Sequence, residues 1–229
     1  MRVTEMTEAE DRLATRGWVV VRGSWDVPTH AQALRFAARF GRPSSRDGGR
    51  PVWEVRPRPL GGTFSQRSGP VPLHTDAQYH PDPEDVVCLF AVRPAVDGGH
   101  SLLLSADQAL TALRRHPEGA RAEAALRRPQ WSWTTPAVFS ENPGRSSPPA
   151  PVFAGETLRW RPDNLVPVPE SSWRAAASVF TDVLVRVEPV EVRLAPGDVL
   201  LVDNHRTLHG RTSFADLQRL MFRIRLWSR

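Results

Sequence analysis

The stretch VEVRLAPGDVLLVDNHRTLHGRTSF, residues 190–214, decides the fold. Its first half predicts a strand, a turn at Pro196 and Gly197, and a second, strongly apolar strand. RLMFRIRLW, residues 219–227, predicts a final strand shortly afterwards. Closely spaced strands separated by turn-forming residues are typical of antiparallel pairing.

The rest of the chain repeats this pattern and adds helices beside it. GWVVVRG, VWEVRP and DVVCLFAVRP predict strands, and the last of them is apolar enough to be buried on both faces. Helical composition or spacing predicts helices at residues 8–16, 29–40, 106–115 and 173–187. Between Pro129 and Pro169, prolines break the chain into short pieces, and ENPGRSSPPAP predicts a surface loop or lid. We expect one mainly β domain over residues 1–229, an antiparallel sandwich or barrel with flanking helices.

Composition and charge narrow the classes of protein. The chain is 40% hydrophobic and 24% charged, which is ordinary for a globular protein, and its net charge is +5. All thirty basic residues are arginine and they are spread along the sequence, which indicates biased codon usage rather than a surface that binds nucleic acid. No apolar stretch is long enough for a membrane span, and the charged first residues do not resemble a signal peptide. We therefore expect a cytoplasmic protein with no membrane partner.

The single cysteine, Cys88, excludes a disulfide framework and a cysteine-based zinc site. It lies within the apolar run VVCLFAV, where a buried structural thiol is the expected state.

Two histidines and an aspartate form a candidate metal site. His74 and Asp76 are separated by one residue in VPLHTDAQYHP, so on an extended segment both side chains face one side while Thr75 points away. A third ligand must come from further along the chain, and either His205 or His209 could supply it. Two histidines and one carboxylate on one face of a metal are typical of non-haem Fe(II) oxygenases.

Two arginines follow these histidines. Arg219 and Arg223 are four residues apart on the predicted final strand, so they share one face. If that face is buried, the two guanidinium groups need an anion, and a carboxylate matches their planar geometry. An exposed arginine row on an edge strand is the alternative.

With these motifs, the chain resembles the taurine dioxygenase and clavaminate synthase-like superfamily of Fe(II)- and 2-oxoglutarate-dependent oxygenases. The resemblance covers nearly the whole chain: GWVVVRG, FGRP, PLHTDAQY, RPAVDGGHSLLLS and GDVLLVDNHRTLHGRTSF with QRLMFR. It implies a double-stranded β-helix, the cupin-like jelly roll, which uses Fe(II), 2-oxoglutarate and O2. The pattern DN-x-R-x-x-HGR-x-x-F at residues 203–214 is its most specific part.

The resemblance also assigns roles to residues. It implies that His74, Asp76 and His209 hold the iron, and that Arg219 and Ser101 hold the distal carboxylate of 2-oxoglutarate. Arg223 matches a position that contacts substrate in several members. The interval between His209 and Arg219 is shorter than in clavaminate synthase-like members, so the roles of the two arginines can be exchanged.

The reaction implied is hydroxylation of an unactivated C–H bond, with release of succinate and CO2. Desaturation and cyclisation use the same site, whereas the carboxylate of Asp76 disfavours halogenation. The expected substrate is a small molecule, either an amino acid or a natural-product intermediate, free or tethered to a carrier protein. A catabolic sulfonate or aryloxyacid dioxygenase is the alternative within the family. Candidate substrate contacts are Gln78, Tyr79, Arg223, Arg67 and Arg161.

Two other classes of protein remain as alternatives. A metal-binding cupin that needs no 2-oxo acid would form no succinate, and an arginine-rich nucleic-acid binder would lose affinity steeply with salt. The sequence does not indicate an oligomeric state.

Overall fold

The computed structural model describes residues 3–23, 28–46, 48–139, 144–167 and 170–228. Within these ranges the helices are α1 (Val3–Arg16), α2 (His30–Ala37), α3 (Ala106–Arg115), α4 (Gly119–Leu126) and α5 (Ser171–Arg186). The strands are β1 (Trp18–Val21), β2 (Arg42–Pro43), β3 (Trp53–Val55), β4 (Val71–His74), β5 (Val86–Arg93), β6 (Ser101–Ser105), β7 (Phe153–Ala154), β8 (Thr157–Leu158), β9 (Val190–Val192), β10 (Val199–Asp203), β11 (Thr207–Arg211) and β12 (Leu220–Trp227).

The strands form two main antiparallel sheets. The major sheet has the order β1-β10-β5-β12-β2, with β3 also paired to β12, and the minor sheet has the order β4-β11-β6-β9. Strands β7 and β8 pair only with each other among the described strands. The arrangement confirms the predicted mainly β, jelly-roll fold with flanking helices.

Alternating side chains of the major sheet fill two different cores. Cys88 on β5 and Ile224 on β12 pack in a core with residues of α1 and α2. Val87, next to Cys88, and Met221, three positions before Ile224, pack in a second core that includes Leu103 of the minor sheet. Successive residues of a strand point to opposite faces, so the odd-numbered side chains of β12 lie on the side of the minor sheet. The burial of Cys88 was predicted, and burial also raises the pKa of its thiol well above the ordinary value.

Helices α3, α4 and α5 cover the other side of the minor sheet. Their buried residues share one core with Leu104 of β6 and Leu208 of β11. The N-cap of α3 is Ser105, whose side chain accepts a hydrogen bond from the Gln108 backbone in a capping box. Helix α4 was not predicted from the sequence; it is only eight residues long and has no side-chain cap. Its packing against α3 and α5 therefore stabilises it more than its local sequence does.

The proline-rich segment consists of short pieces, as predicted. It contains the hairpin β7–β8 and isolated bridges that join Thr134 to Ser146 and Trp131 to Ala150. The first residues of ENPGRSSPPAP, 141–143, lie outside the described residues. None of the described helices combines the length and apolarity that crossing a membrane requires.

Candidate metal centre

Pairing of β4 with β11 brings two histidines together. His74 ends β4 and lies directly opposite His209 on β11, with 4.4 Å between their ring centroids. Asp76 follows two residues later, and its Oδ1 lies 3.6 Å from His74 Nε2 and 4.0 Å from His209 Nε2. One ligand atom from each residue lies within 4.8 Å of the others, and all three residues are buried. Thr75 points away, as predicted, and its hydroxyl accepts a hydrogen bond from the Trp160 backbone.

The electrostatics of the three side chains suit a divalent metal. His74 Nδ1 lies 2.9 Å from the Pro72 carbonyl, and donation to that oxygen leaves Nε2 as the free lone pair. Burial, followed by the charge of His74, lowers the pKa of His209 to about 3, so its imidazole is neutral at pH 7. Burial alone would raise the pKa of Asp76, but Arg223 and the two histidines hold it well below the ordinary value. Two imidazoles and one carboxylate fit the donor set of an Fe(II) facial triad.

His205, the alternative third ligand, lies elsewhere. Its Nε2 is 3.0 Å from Asp85 Oδ1, and its side chain is about one-quarter exposed. The structure brings His209, and not His205, to His74 and Asp76.

Asn204 holds the backbone of Asp76. Its Oδ1 accepts a hydrogen bond from the Asp76 N–H at 2.7 Å, and its Nδ2 donates to the Asp76 carbonyl at 2.9 Å and to the Glu84 carbonyl at 2.8 Å. The next residue, Ala77, has a φ of 60°, which is the one positive φ outside glycine in the part of the chain that the structure describes. Asn204 therefore fixes a tight, strained turn that aims Asp76 at the histidines.

We expect Asn204→Ala to weaken Fe(II) binding about 10- to 100-fold, as loss of an outer partner of a metal ligand usually does. Fe(II) affinity is measured by anaerobic titration, and unfolding is followed separately. Asn164→Ala is the matched control, because Asn164 bonds Gln78 and Thr134 rather than Asp76. Wild-type Fe(II) affinity in Asn204→Ala, with only the stability lowered, would contradict a positioning role.

Both main sheets contribute to one cavity of about 80 Å³ beside the three residues. The predicted residues Ser101, Arg161, Arg219 and Arg223 all line it. Among the residues that the structure describes, the lining consists of Val55, Thr63, Phe64, Ser65, Val71, His74, Asp76, Leu89, Ser101, Phe139, Arg161, His209, Gly210, Arg211, Arg219 and Arg223.

Arg219 and Arg223 differ in their contacts. Nη1 of Arg223 donates to Asp76 Oδ2 at 2.8 Å. Arg219 is 6% exposed, and its buried Nη1 has no hydrogen-bond partner among the described residues. Burial, and then the charge of Arg211, lowers the pKa of Arg219 to about 9, so it is still charged at pH 7. A buried cationic donor without a partner fits the anionic end of a bound 2-oxo diacid.

Gly99 leaves room for Arg219. Its φ is +68°, and a Cβ there would lie 3.1 Å from Arg219 Nε and 3.3 Å from Phe214 Cδ1. We expect Gly99→Ala to cost about 1 kcal/mol or more in 2-oxoglutarate binding, roughly a fivefold rise in the concentration required. Gly62→Ala is the control, because a Cβ there meets no atom within 4 Å. An unchanged requirement in Gly99→Ala, measured by titrating 2-oxoglutarate, would disprove the effect.

Three of the predicted substrate contacts are not in the cavity lining. Arg67 is exposed, and its guanidinium donates to the Gly61 and Gly62 carbonyls. Gln78 is fully buried, and its Nε2 donates to Asn164 Oδ1 at 2.9 Å. Tyr79 packs in the core under α3 to α5. The structure therefore places these three residues outside the lining of this cavity.

Arg211, Phe64 and Phe139 also line the cavity, although they were not predicted as site residues. Alternation could have found Arg211, because it lies two residues after His209 on the same strand. Its Nη2 donates to the Arg67 and Gly69 carbonyls and so anchors the loop that carries Phe64. The two phenylalanines lie in segments with no regular hydrophobic pattern, so no periodicity indicates that they line the cavity.

Comparisons with known proteins agree with this geometry. The family model described as taurine catabolism dioxygenase TauD, TfdA family matches residues 2–225. A search of curated proteins gives no match.

Similar solved structures include an asparagine oxygenase in complex with Fe(II), 3-hydroxyasparagine and succinate, at 21% identity and a TM-score of 0.79, covering 99% of this chain and 80% of that one. The non-heme iron oxygenase OrfP in complex with Fe, succinate and (3S)-hydroxy-L-Arg is 20% identical with a TM-score of 0.75, and the match covers 100% of this chain and 82% of OrfP. OrfP in complex with Fe and α-ketoglutaric acid is 21% identical with a TM-score of 0.74, and the match covers 100% of this chain and 81% of OrfP. At these identities the likeness establishes a common fold.

Proposed function

Because the chain belongs to the TauD/TfdA family of Fe(II)- and 2-oxoglutarate-dependent dioxygenases, we propose that it hydroxylates an unactivated C–H bond of a small molecule at the His74–Asp76–His209 centre. One observation carries the proposal: these three side chains share a cavity with Arg219, whose buried Nη1 has no partner among the residues described. A metal triad and a separate anion-binding arginine are what a chelating 2-oxo diacid requires.

Each residue has a proposed task in this reaction. His74, Asp76 and His209 hold Fe(II), and Arg219 binds the distal carboxylate of 2-oxoglutarate with help from the Ser101 hydroxyl. Arg223 is the less suitable holder of 2-oxoglutarate, because its Nη1 is engaged by Asp76. When bound, iron and 2-oxoglutarate supply the oxidising chemistry, in which O2 is consumed and succinate and CO2 are released. The buried walls exclude water around them.

The proposed substrate class, substrate contacts and reaction outcome rest on the same site. Amino acids are the favoured substrate class, because the asparagine oxygenase and OrfP structures hold hydroxylated amino acids. Arg161 and Arg223 are the proposed substrate contacts that line the cavity. The carboxylate of Asp76 occupies the place that a halogenating enzyme needs for chloride, so halogenation is disfavoured. Desaturation and cyclisation are alternative outcomes at the same site. Three further predictions rest on the sequence alone. They are delivery of the substrate on a carrier protein, catabolism of a sulfonate or aryloxyacid as the alternative function, and a cytoplasmic location.

Turnover of 2-oxoglutarate tests the proposal. The protein is incubated in air with Fe(II), ascorbate and 2-oxoglutarate, alone and with each member of an amino-acid panel, and succinate and product mass are measured. We expect slow iron-dependent succinate formation without a substrate, and fast formation with a product one oxygen heavier when the substrate is present. Asp76→Ala is the control and should form none. A wild-type protein that forms no succinate under any condition would contradict the proposal.

A further inference from the structure

Phe214 is a buried aromatic residue whose ring lies beside two cations. It is 7% exposed, yet among the residues that the structure describes none of the three hydrophobic cores includes it. The guanidinium carbon of Arg211 lies 4.7 Å from the centre of the ring, and that of Arg219 lies 5.1 Å from it. Both distances are within the roughly 6 Å over which an aromatic ring attracts a cation. Packing in a core therefore does not account for the position of this ring.

Of the two arginines, Arg219 depends more on the ring. Arg211 is held by other groups, because its Nη2 donates to the Arg67 and Gly69 carbonyls at 2.6 Å and 2.8 Å. Arg219 Nη1 lines up with no such acceptor in the described part of the chain. Burial, and then the charge of Arg211, lowers the pKa of Arg219, so the two guanidinium groups repel each other. The attraction of the Phe214 ring for both cations offsets this repulsion.

The backbone that carries Phe214 is fixed to the turn at Asp97. The N–H groups of Ala215 and Asp216 donate to the Asp97 carboxylate at 2.9 Å and 3.2 Å. The Asp216 carbonyl then accepts a hydrogen bond from the Arg219 N–H at 3.2 Å. One short segment thus holds both the ring and the arginine, so their relative position is set before a ligand binds.

We propose that Phe214 is a positioning residue for 2-oxoglutarate, because its ring holds the Arg219 guanidinium in the orientation that binds the distal carboxylate. The inference rests on the proposed function and adds to that site a residue that is not among the described lining residues. Phe214 therefore acts through Arg219. A guanidinium held in advance loses less conformational freedom when it binds an anion, which strengthens binding.

Fluorinated phenylalanines at position 214 test this role at nearly constant side-chain shape. Fluorine withdraws electron density from the face of the ring and so weakens its attraction for a cation. We expect the dissociation constant of 2-oxoglutarate to rise stepwise from one to three ring fluorines, by about fivefold or more in total. The constant is measured without oxygen, by titrating 2-oxoglutarate into protein loaded with Fe(II) and following the visible absorption band. Equal affinities across the series would overturn the inference.

Phe180 is the matched control for the fluorinated series. It is fully buried, and its ring packs against the rings of Phe153 and Trp160 rather than a guanidinium. The same fluorinated residues at position 180 should leave the dissociation constant of 2-oxoglutarate at the wild-type value. An equal rise at positions 180 and 214 would mean that fluorine acts through packing, and the proposed role of Phe214 would be wrong.

A double-mutant cycle tests whether the ring acts through Arg219. Phe214→Leu should weaken 2-oxoglutarate binding about fivefold or more, and Fe(II) affinity measured without 2-oxoglutarate should not change. In the Arg219→Leu background the same substitution should add at most about a twofold loss, because the group that the ring positions is gone. An equal loss in both backgrounds would contradict the inference. If the leucine variant does not fold, the fluorinated series still decides the question.

The two proposals fail in different ways. If the wild type gives the visible band but the changes at Phe214 leave 2-oxoglutarate binding unaltered, the inference about Phe214 fails and the proposed function stands. If the wild type gives no band, the proposed function fails and the inference fails with it.

Discussion

His209→Ala is expected to abolish the visible absorption band that forms when Fe(II) and 2-oxoglutarate are added without oxygen, and to abolish succinate formation in air. His209 Nε2 is one of the three ligand atoms that lie within 4.8 Å of one another. Removing a direct ligand should weaken iron binding by more than the roughly 10- to 100-fold that loss of an outer partner costs. The band is measured by anaerobic titration with Fe(II).

His205→Ala is the matched control for this experiment. His205 lies in the same motif, but its Nε2 is paired with Asp85 Oδ1 at 3.0 Å rather than directed at the triad. We expect this variant to keep the band. Loss of the band in His205→Ala together with its retention in His209→Ala would reverse the ligand assignment.

Arg219→Leu is expected to raise the 2-oxoglutarate concentration required for half-maximal turnover by a large factor. Removing one partner of a buried charged pair costs about 2–5 kcal/mol, which corresponds to a roughly 30- to several-thousand-fold increase. The three proposed iron ligands are untouched, so Fe(II) affinity measured without 2-oxoglutarate should stay near the wild-type value.

The comparison with Arg223→Leu separates the two arginines. Arg223 donates to Asp76, so its loss should disturb iron binding and substrate binding more than the 2-oxoglutarate requirement. A large rise in the requirement for Arg223→Leu, with no rise for Arg219→Leu, would mean that the two roles are exchanged.

Periodicity in the sequence predicted much of the fold. Arg219, directly before β12, and Arg223, within it, both line the cavity, as do His74 and Asp76. Strand direction accounts for His74 and Arg223, whereas Asp76 lies beyond the end of β4 and Arg219 lies before the start of β12. Helix α4 was missed because its stability comes from contacts with α3 and α5, which local sequence does not contain.

Position in the sequence alone did not identify the neighbours of the triad. Gln78 and Tyr79 lie two and three residues after Asp76, yet the turn at Ala77, with its φ of 60°, takes the chain away from the cavity. Arg161 lies far from Asp76 in the sequence, but it enters the cavity because Trp160 pairs with Thr75. The sequence likewise left open whether His205 or His209 is the third metal ligand. His205 pairs with Asp85, a residue far from it in the sequence, and therefore does not face the triad.

A crystal structure of the protein grown anaerobically with Fe(II) and 2-oxoglutarate, with anomalous data collected at the iron edge, tests the central claim most directly. We predict one iron peak between His74 Nε2, Asp76 and His209 Nε2, with the distal carboxylate of 2-oxoglutarate on Arg219. An iron peak elsewhere, or iron bound with any of these three side chains turned away from it, would contradict the account.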